Sequence, residues 1–451
     1  MSSVIDKQRL YIQEVNRWYE LKEHEIQRQL VEDKVRFKVA PAGRRSGKTE
    51  KAKRFIVKNA MNIVGDYFIA APTRDQVKRI YWRDLKLLSF SSLHPDPPSE
   101  STLTVKIPTP KGISTISLIG LDKPQRIEGI FWSGGIIDEI ADIKQDAWQE
   151  NIKPALDTFN PENPNYRAWC WLIGVPDGLN HYYDLAEYAK ISGDPDWKLY
   201  TWKSSDILPP DIIEAAKRSM SARQYRQEYE ASFENASGKV YEDYNQDNIC
   251  HYEIMPHEQL LWGHDFNFTP MSSFVGVIRD NNLFILDEIV LDSAISRQSA
   301  TEFIERYKDH YNKNIIVYGD PAGQAGEKHG HASDYTEMNE ILVKAGWKVE
   351  RRVKAAAPAI KDRQNAVRAK IANASGERSL FVNPVKAPIT HKGLATVQIK
   401  EGSTFIEVES RFQHITTAVG YCVEYEWPIR VPENTTINAN VPAANYFNRS
   451  R

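Results

Sequence analysis

Apolar residues return every three to four positions over 4–30, where Ile5, Leu10, Ile12, Val15, Trp18, Tyr19 and Leu21 share one face, and this predicts a helix. From residue 36 the rhythm changes. RFKVA (36–40) reads as a short strand running into a glycine-bearing loop, and KTEKAKRFIVKNAM (48–61) as the helix after it. YFIAAPT and RDQVKRIYWRDLKLL repeat the strand–helix pair, strands near 103–107 and 114–119 follow, and SGGIIDEI (133–140) and RAWCWLIGVP (167–176) are further buried strands. Strands alternating with helices predict an α/β domain with a mostly parallel sheet. Around 234–246, ENASGKVYEDYNQ loses periodicity. This divides the chain into a first domain over 1–233, a linker over 234–255 and a second domain over 256–430. In the second domain QLLWGHDFNF, SSFVGVIR and NNLFILDEIVL are three consecutive strands, with Asp280-Asn281-Asn282 as a turn between the last two. A helix over about 297–311 and the strand NIIVYGD complete a mixed sheet. The tail over 431–451 reads as extended or disordered.

A chain of 451 residues is too long for one ordinary core, which agrees with two domains. The net charge of -2 rules out a chain that binds nucleic acid by overall basicity, so a DNA surface must be local. Three scattered cysteines, Cys170, Cys250 and Cys422, provide neither a disulfide framework nor zinc spacing. No run approaches the roughly 18 apolar residues of a membrane span, so no membrane association is expected.

The loop PAGRRSGKTE (41–50) ends in Gly47-Lys48-Thr49 at the start of a helix, an arrangement suited to a triphosphate. Backbone N–H groups of Ala42, Gly43, Arg44, Arg45 and Ser46 surround the phosphates, Lys48 reaches the β- and γ-phosphates, and Thr49 ligates Mg²⁺. The acidic strand end Asp138-Glu139 supplies the companion pair. Asp138 holds the hydrated Mg²⁺ and Glu139 orients the attacking water. The expected activity is ATP hydrolysis. Arg44, four residues before Lys48, is placed to neutralise γ-phosphate charge in cis, and Arg126 is a candidate finger for a neighbouring subunit. A surface pair, or arginines that meet the nucleic acid, is the other reading of Arg44 and Arg45.

The second domain has its own acids. Asp265 lies among apolar strand residues and Asp320 ends another buried strand, where a carboxylate is costly without a counter-charge. Two such acids on adjacent strands suit two Mg²⁺ or Mn²⁺ ions and phosphodiester hydrolysis. Residues 351–370 carry Arg351, Arg352, Lys354, Lys361, Arg363, Arg368 and Lys370, read as a stripe for phosphate-backbone contact or as a solvated helix. His329 and His331 read as a mobile loop.

RFKVAPAGRRSGKT, IAAPTRDQVKRIYW, GGIIDEI and LIGVPDG, in this order, resemble the ATPase half of the large terminase subunit of tailed bacteriophages. That family replaces the first loop glycine freely, as Ala42 does here. The strands bearing Asp265 and Asp320 resemble the same family's RNase H-like nuclease, so the resemblance spans about 25–425. It implies that Gly174-Val175-Pro176 couples hydrolysis to DNA movement and that Gln27 contacts adenine. The family's last acids fall where this chain has Gln413 and Thr417 in QHITTAVGY. Glu288, Glu409 and His414 are therefore the candidates for a third metal ligand. The resemblance further implies a viral DNA-packaging motor that translocates double-stranded DNA and cleaves concatemers. Its partners would be a portal protein, a small terminase subunit and further copies of itself, a pentamer. It would act in the cytoplasm of the infected bacterial host and be absent from the mature virion. A cellular helicase-nuclease and a capsid-associated DNA-binding protein with decayed sites are the other readings.

Overall fold

The computed structural model describes residues 2–18, 24–158, 166–234, 238–324, 333–400 and 403–429. The histidines His329 and His331 and the tail over 431–451 lie outside the described residues. The chain divides into two compact units, one of residues 1–216 and 223–236, the other of 217–222 and 237–451.

The expected single amphipathic helix over 4–30 is two helices, α1 (Ser2–Arg17) and α2 (Glu25–Glu32). The first unit continues with β1 (Phe37–Pro41), α3 (Lys48–Asn62), β2 (Asp66–Ala71), α4 (Arg74–Leu88), β3 (Thr104–Thr109), β4 (Gly112–Gly120) and β5 (Trp132–Asp138). Then come α5 (Lys153–Asp157), β6 (Trp169–Gly174), α6 (His181–Ile191), β7 (Trp197–Leu199), α7 (Pro210–Ser219) and α8 (Ala222–Tyr229), of which residues 217–219 and 222 fall in the second unit. Among the described residues its sheet has seven strands in the order β3-β4-β2-β5-β6-β1-β7, and only the β3–β4 pairing is antiparallel. One face packs Ile56, Val57, Val77, Tyr81 and Leu85 against the sheet, and the other packs Ile140, Trp148, Ile152 and Tyr182. Burial on both faces explains why these strands read as continuous apolar runs. In β5 a Cβ at Gly134 or Gly135 would lie 2.2 Å or 2.1 Å from the rings of Trp169 and Phe68, so glycine lets those rings cross the strand.

The second unit holds β8 (Leu260–Asp265), β9 (Met271–Arg279), β10 (Asn282–Leu291), α9 (Ser296–Arg306), β11 (Asn314–Gly319), α10 (Asp334–Lys344), β12 (Lys348–Arg351), α11 (Ile360–Ile371), β13 (Leu380–Val382), α12 (Pro388–Thr396) and α13 (Arg411–Glu426). Among the described residues its six strands run β12-β11-β8-β9-β10-β13, antiparallel across β8–β9–β10 and parallel elsewhere, the mixed sheet expected. Asp280 and Asn281 both take positive φ, 48° and 65°, as a two-residue hairpin turn requires. The stretch read as a linker differs from expectation. From 238 onward it belongs to the second unit, where Val240 and Tyr241 are buried, Val240 N–H donates to Val397 O at 2.8 Å, and Ile249 bridges Val382. Aromatic residues in that segment carry burial that its irregular polar pattern conceals.

Candidate ATP and nuclease sites

In the first unit β6 lies between β1 and β5, with Pro41 opposite Gly174 and Ile173 opposite Asp138. Gly174 therefore sits between the phosphate loop and the acidic strand end. Its carbonyl accepts from Ala42 N–H at 3.1 Å. Val175 and Pro176 leave the strand just beyond. Ala42 is fully buried, and the close approach falls on Gly43 instead: a Cβ there would lie 2.4 Å from Ser204 Oγ and 2.6 Å from Tyr229 O. The loop then folds back on itself. Ser46 Oγ donates to Gly43 O at 2.5 Å, Arg45 has φ 58°, and Gly47 has φ 88° at the entry to α3. Gln27 Nε2 and Trp202 Nε1 both donate to Ser46 O, at 2.6 Å and 3.1 Å. Gln27, expected at adenine, thus braces the loop with its amide nitrogen, and its buried Oε1 has no hydrogen-bond partner.

Lys48 is 6% exposed in the first turn of α3. Thr49 Oγ1 donates to Asp138 Oδ2 at 2.9 Å, so the two residues expected at a cation are in contact. Tyr81, which nothing in the sequence singled out, donates from its fully buried hydroxyl to the same Oδ2 at 2.7 Å. Glu139 N–H donates to Asp138 Oδ1 at 3.0 Å. Burial raises the Glu139 carboxyl above its ordinary range. Lys48 opposes that shift, and Asp138 adds to it.

The two arginines have partners in the first unit. Arg44 Nε donates to Glu228 Oε2 at 2.6 Å, and Arg44 N–H donates to Glu228 O at 2.6 Å. Burial works against the Arg44 charge, but the carboxylates of Glu228 and, to a lesser extent, Glu139 favour it, and its pKa is raised. Arg126 donates to Asp122 Oδ1 at 2.8 Å and Gly120 O at 3.3 Å, on a part-exposed segment beside the exposed Ile130 and Phe131.

In the second unit β11 pairs with β8 as far as Gly319 opposite His264, so Asp320 follows in register beside Asp265. Asp265 is 6% exposed and its Oδ2 accepts from Asn267 Nδ2 at 2.7 Å. His414, in the first turn of α13, lies with Nδ1 2.9 Å from the same oxygen, and that hydrogen bond raises its pKa. Asp320 Oδ1 accepts from Ala322 N–H at 2.8 Å, and its carboxylate lies near enough to Tyr421 of α13 to add to the burial that raises the tyrosine's pKa. Helix α13 thus delivers His414 and Tyr421 to the two strand-end acids, two turns apart on one face.

Two expectations meet a different arrangement. Glu288 shares the sheet face of Asp265 through the register Glu288–Phe274–Gly263, but both its oxygens are taken up elsewhere. They accept from Ile389 N–H, Thr390 N–H and Thr390 Oγ1, each at 2.8 Å, so Glu288 caps the start of α12. Glu409 is exposed, close enough to His414 to raise its pKa. Glu407, which the sequence reading passed over, is the more enclosed acid. Gln364 Nε2 holds its Oε1 at 2.8 Å, its Oε2 is buried without a partner, and burial raises its pKa.

The basic stripe is not a solvent-facing row. Arg368 is 4% exposed and donates to Val240 O at 2.6 Å. Arg352 pairs with Glu426 at 2.7 Å, and Lys354 with Glu424 at 2.5 Å. Arg363 and Lys361 lie over the rings of Tyr421 and Phe405 at 4.6 Å and 5.3 Å. Lys370 lies 4.0 Å from the Trp427 ring centre, and burial lowers its pKa to about 8. Arg351 alone of the seven is exposed. Helix α11 packs against α13, and that contact turns part of the row inward.

No protein-family model matches the chain. Among curated proteins it is 28% identical over 269 residues to the large terminase subunit of Thermus phage G20c, covering 51% of this chain and 53% of that one. It is 31% identical over 204 residues to the large terminase subunit of Escherichia phage T5, covering 42% and 45%. The chain spans about half the length of the curated relatives it matches. The large terminase of the thermophilic bacteriophage D6E aligns with a TM-score of 0.59 over 90% of this chain and 99% of that one, at 15% identity. The same terminase in complex with ATP-gamma-S gives 0.56 over 89% and 98%, at 16% identity. At such identity the structural likeness is one of fold. In sequence over about half its length, and in fold over nine-tenths of it, this chain resembles the large terminase subunits of phages.

Proposed function

We propose that the chain is a DNA-packaging motor subunit that hydrolyses ATP to move double-stranded DNA into a procapsid and cuts concatemeric DNA with a metal-dependent nuclease. The observation that carries this reading is the meeting of Lys48, Thr49, Asp138 and Glu139 at the carboxyl ends of β1 and β5. A phosphate loop and an acidic strand end brought together in this way form a nucleotide-hydrolysing site. Thr49 Oγ1 and the Asp138 carboxylate are hard oxygen donors that fit Mg²⁺, and they are already 2.9 Å apart. When bound, Mg²⁺ would neutralise charge on the β- and γ-phosphates. The chain's own residues do the rest. The start of α3 offers its N–H groups to the phosphates, Lys48 adds a buried positive charge, and Glu139 takes a proton from the attacking water.

In the second unit Asp265 and Asp320 offer the oxygen donors that Mg²⁺ or Mn²⁺ takes, and His414 a nitrogen. The fit is narrower there, because among the described residues no group of three or more acid, histidine or cysteine side chains converges on one point. Bound ions would activate water and stabilise the leaving oxygen. His414 orients the Asp265 carboxylate by a hydrogen bond, and Tyr421 lies near that of Asp320. A portal protein, a small terminase subunit and further copies of this chain are the partners of this reading, and the infected bacterial cytoplasm its setting. The complex of the D6E terminase with ATP-gamma-S supports the nucleotide assignment.

Separable activities test the proposal. Lys48→Ala should abolish ATP turnover and leave plasmid nicking intact, and Asp320→Ala should do the reverse. Wild-type ATP turnover in Lys48→Ala, or wild-type nicking in Asp320→Ala, would remove the corresponding half.

A further inference from the structure

We infer that His181 and Asn180 are positioning residues that fix the turn carrying Glu139, and so set where its carboxylate meets the attacking water. The inference rests on the ATPase reading of the first unit. Glu139 leaves β5 in the left-handed region, with φ 53° and ψ 47°. Residues with a side chain rarely adopt that conformation, so the surroundings must hold it. Within the turn Asp142 N–H donates to Glu139 O at 3.0 Å, and Ile143 N–H to Ile140 O at 3.3 Å. Two further bonds come from the start of α6. His181 Nε2 lies 2.9 Å from Ile140 O, and Asn180 Nδ2 donates to Ala141 O at 3.1 Å. A carbonyl oxygen only accepts, so the imidazole carries a proton on Nε2.

Asn180 works in two directions. Its Oδ1 accepts from Tyr182 N–H at 3.0 Å and caps α6, while its Nδ2 reaches the turn. Tyr182 is fully buried, and its hydroxyl donates to Leu172 O of β6 at 3.3 Å, which ties the helix start to the sheet. Gly174 closes the other side of the turn: a Cβ there would lie 3.3 Å from Ile140 N and 3.5 Å from Glu139 Cα. The backbone of 139–141 is therefore held against β6 and α6. Both bonds from α6 end on backbone carbonyls, so His181 and Asn180 act through Glu139 rather than on the nucleotide. Lys48 and the start of α3 hold the phosphates, whereas Glu139 serves the water. A small displacement of the turn should then slow the reaction and leave nucleotide binding as it was.

The test measures ATP turnover and ATP-gamma-S affinity on the full chain as wild type, His181→Phe, His181→Gln and Asn180→Asp. His181→Phe keeps a ring and loses the donor, so kcat should fall about tenfold while ATP-gamma-S affinity stays unchanged. His181→Gln retains an N–H donor and should recover most of that loss. Asn180→Asp keeps an acceptor for the cap of α6 but turns the donor toward Ala141 O into a charge. It should lower kcat in the same way, and it serves if His181→Phe does not fold. Affinity lost in step with kcat, wild-type kcat in both His181→Phe and Asn180→Asp, or a His181→Gln no faster than His181→Phe would overturn the inference and leave the ATP site standing. Wild type without ATP turnover would remove the ATPase reading itself.

Discussion

Replacing Tyr81 by phenylalanine deletes one oxygen atom from the closed interior of the first unit. The hydroxyl is fully buried and donates at 2.7 Å to Asp138 Oδ2, on a carboxylate that is itself 1% exposed. A hydrogen bond to a charged group contributes about 1.5–3 kcal/mol. Asp138 retains two other donors, Thr49 Oγ1 at 2.9 Å and Glu139 N–H at 3.0 Å, so it is not stranded without partners. Phenylalanine keeps the ring, so no sizeable cavity adds to the cost. The expected loss is therefore at the lower end, about 1.5–2 kcal/mol. Urea unfolding of the full chain, followed by tryptophan fluorescence, measures it for Tyr81→Phe, Asp138→Ala and the double variant. The coupling between the two sites should match the Tyr81→Phe loss, since Asp138→Ala leaves the hydroxyl without its acceptor. A coupling energy under about 0.5 kcal/mol would refute the view that Tyr81 holds the acidic strand end in place.

Gly43→Ala should lose nucleotide binding by more than about tenfold, since its Cβ would meet Ser204 N at 2.5 Å and Tyr229 O at 2.6 Å. Ala42→Gly should leave the affinity near wild type, and equilibrium binding separates the two. Glu288→Gln should cost about 1–2 kcal/mol in urea unfolding, by weakening the cap of α12, and leave the metal requirement of plasmid cleavage unchanged. A raised metal requirement would return Glu288 to the nuclease site. Glu50, between Lys53 and Arg17, has its pKa lowered to about 2, although burial alone would raise it. Its stabilising contribution is therefore complete above its unfolded pKa near 4.5 and is lost as pH falls through the folded value. The stability gap between wild type and Glu50→Gln should be on the order of 3 kcal/mol at pH 7 and should shrink steadily from pH 5 to pH 2 in urea titrations.

The phosphate loop, the acidic end of β5 and the two acids at the ends of β8 and β11 were legible in the sequence for a local reason. Each is a backbone transition, strand to loop or strand to helix, whose polar residues stand out against an apolar run a few positions away. The alternation of strands and helices and the three-strand rhythm of the second unit were legible for the same reason, because burial on one or two faces leaves a period that a short window can detect. The boundary was less so. Residues 238–255 are polar and irregular, yet they pack through Val240, Tyr241, Tyr244 and Cys250, whose spacing follows no regular element.

What only the tertiary structure decided is which partner each charged group meets. Arg44 and Glu228 are 184 positions apart, Tyr81 and Asp138 are 57 apart, and Glu288 finds Thr390 across 102. No window along the chain contains such pairs. A carboxylate on the right face of the right sheet, as Glu288 is, can still be claimed by the bare start of a helix that the sequence places a hundred residues later. The basic row over 351–370 shows the same limit. Its composition suits a DNA-facing helix, but α13 packs on α11, and Arg368 turns inward to Val240 O while Arg352 and Lys354 meet Glu426 and Glu424. Local sequence determined where the polar chemistry could stand, since backbone geometry and hydrophobic period act over a few residues. Packing decided which of those groups were left to a ligand, since a buried donor or acceptor must be satisfied by whatever the fold brings within about 3 Å.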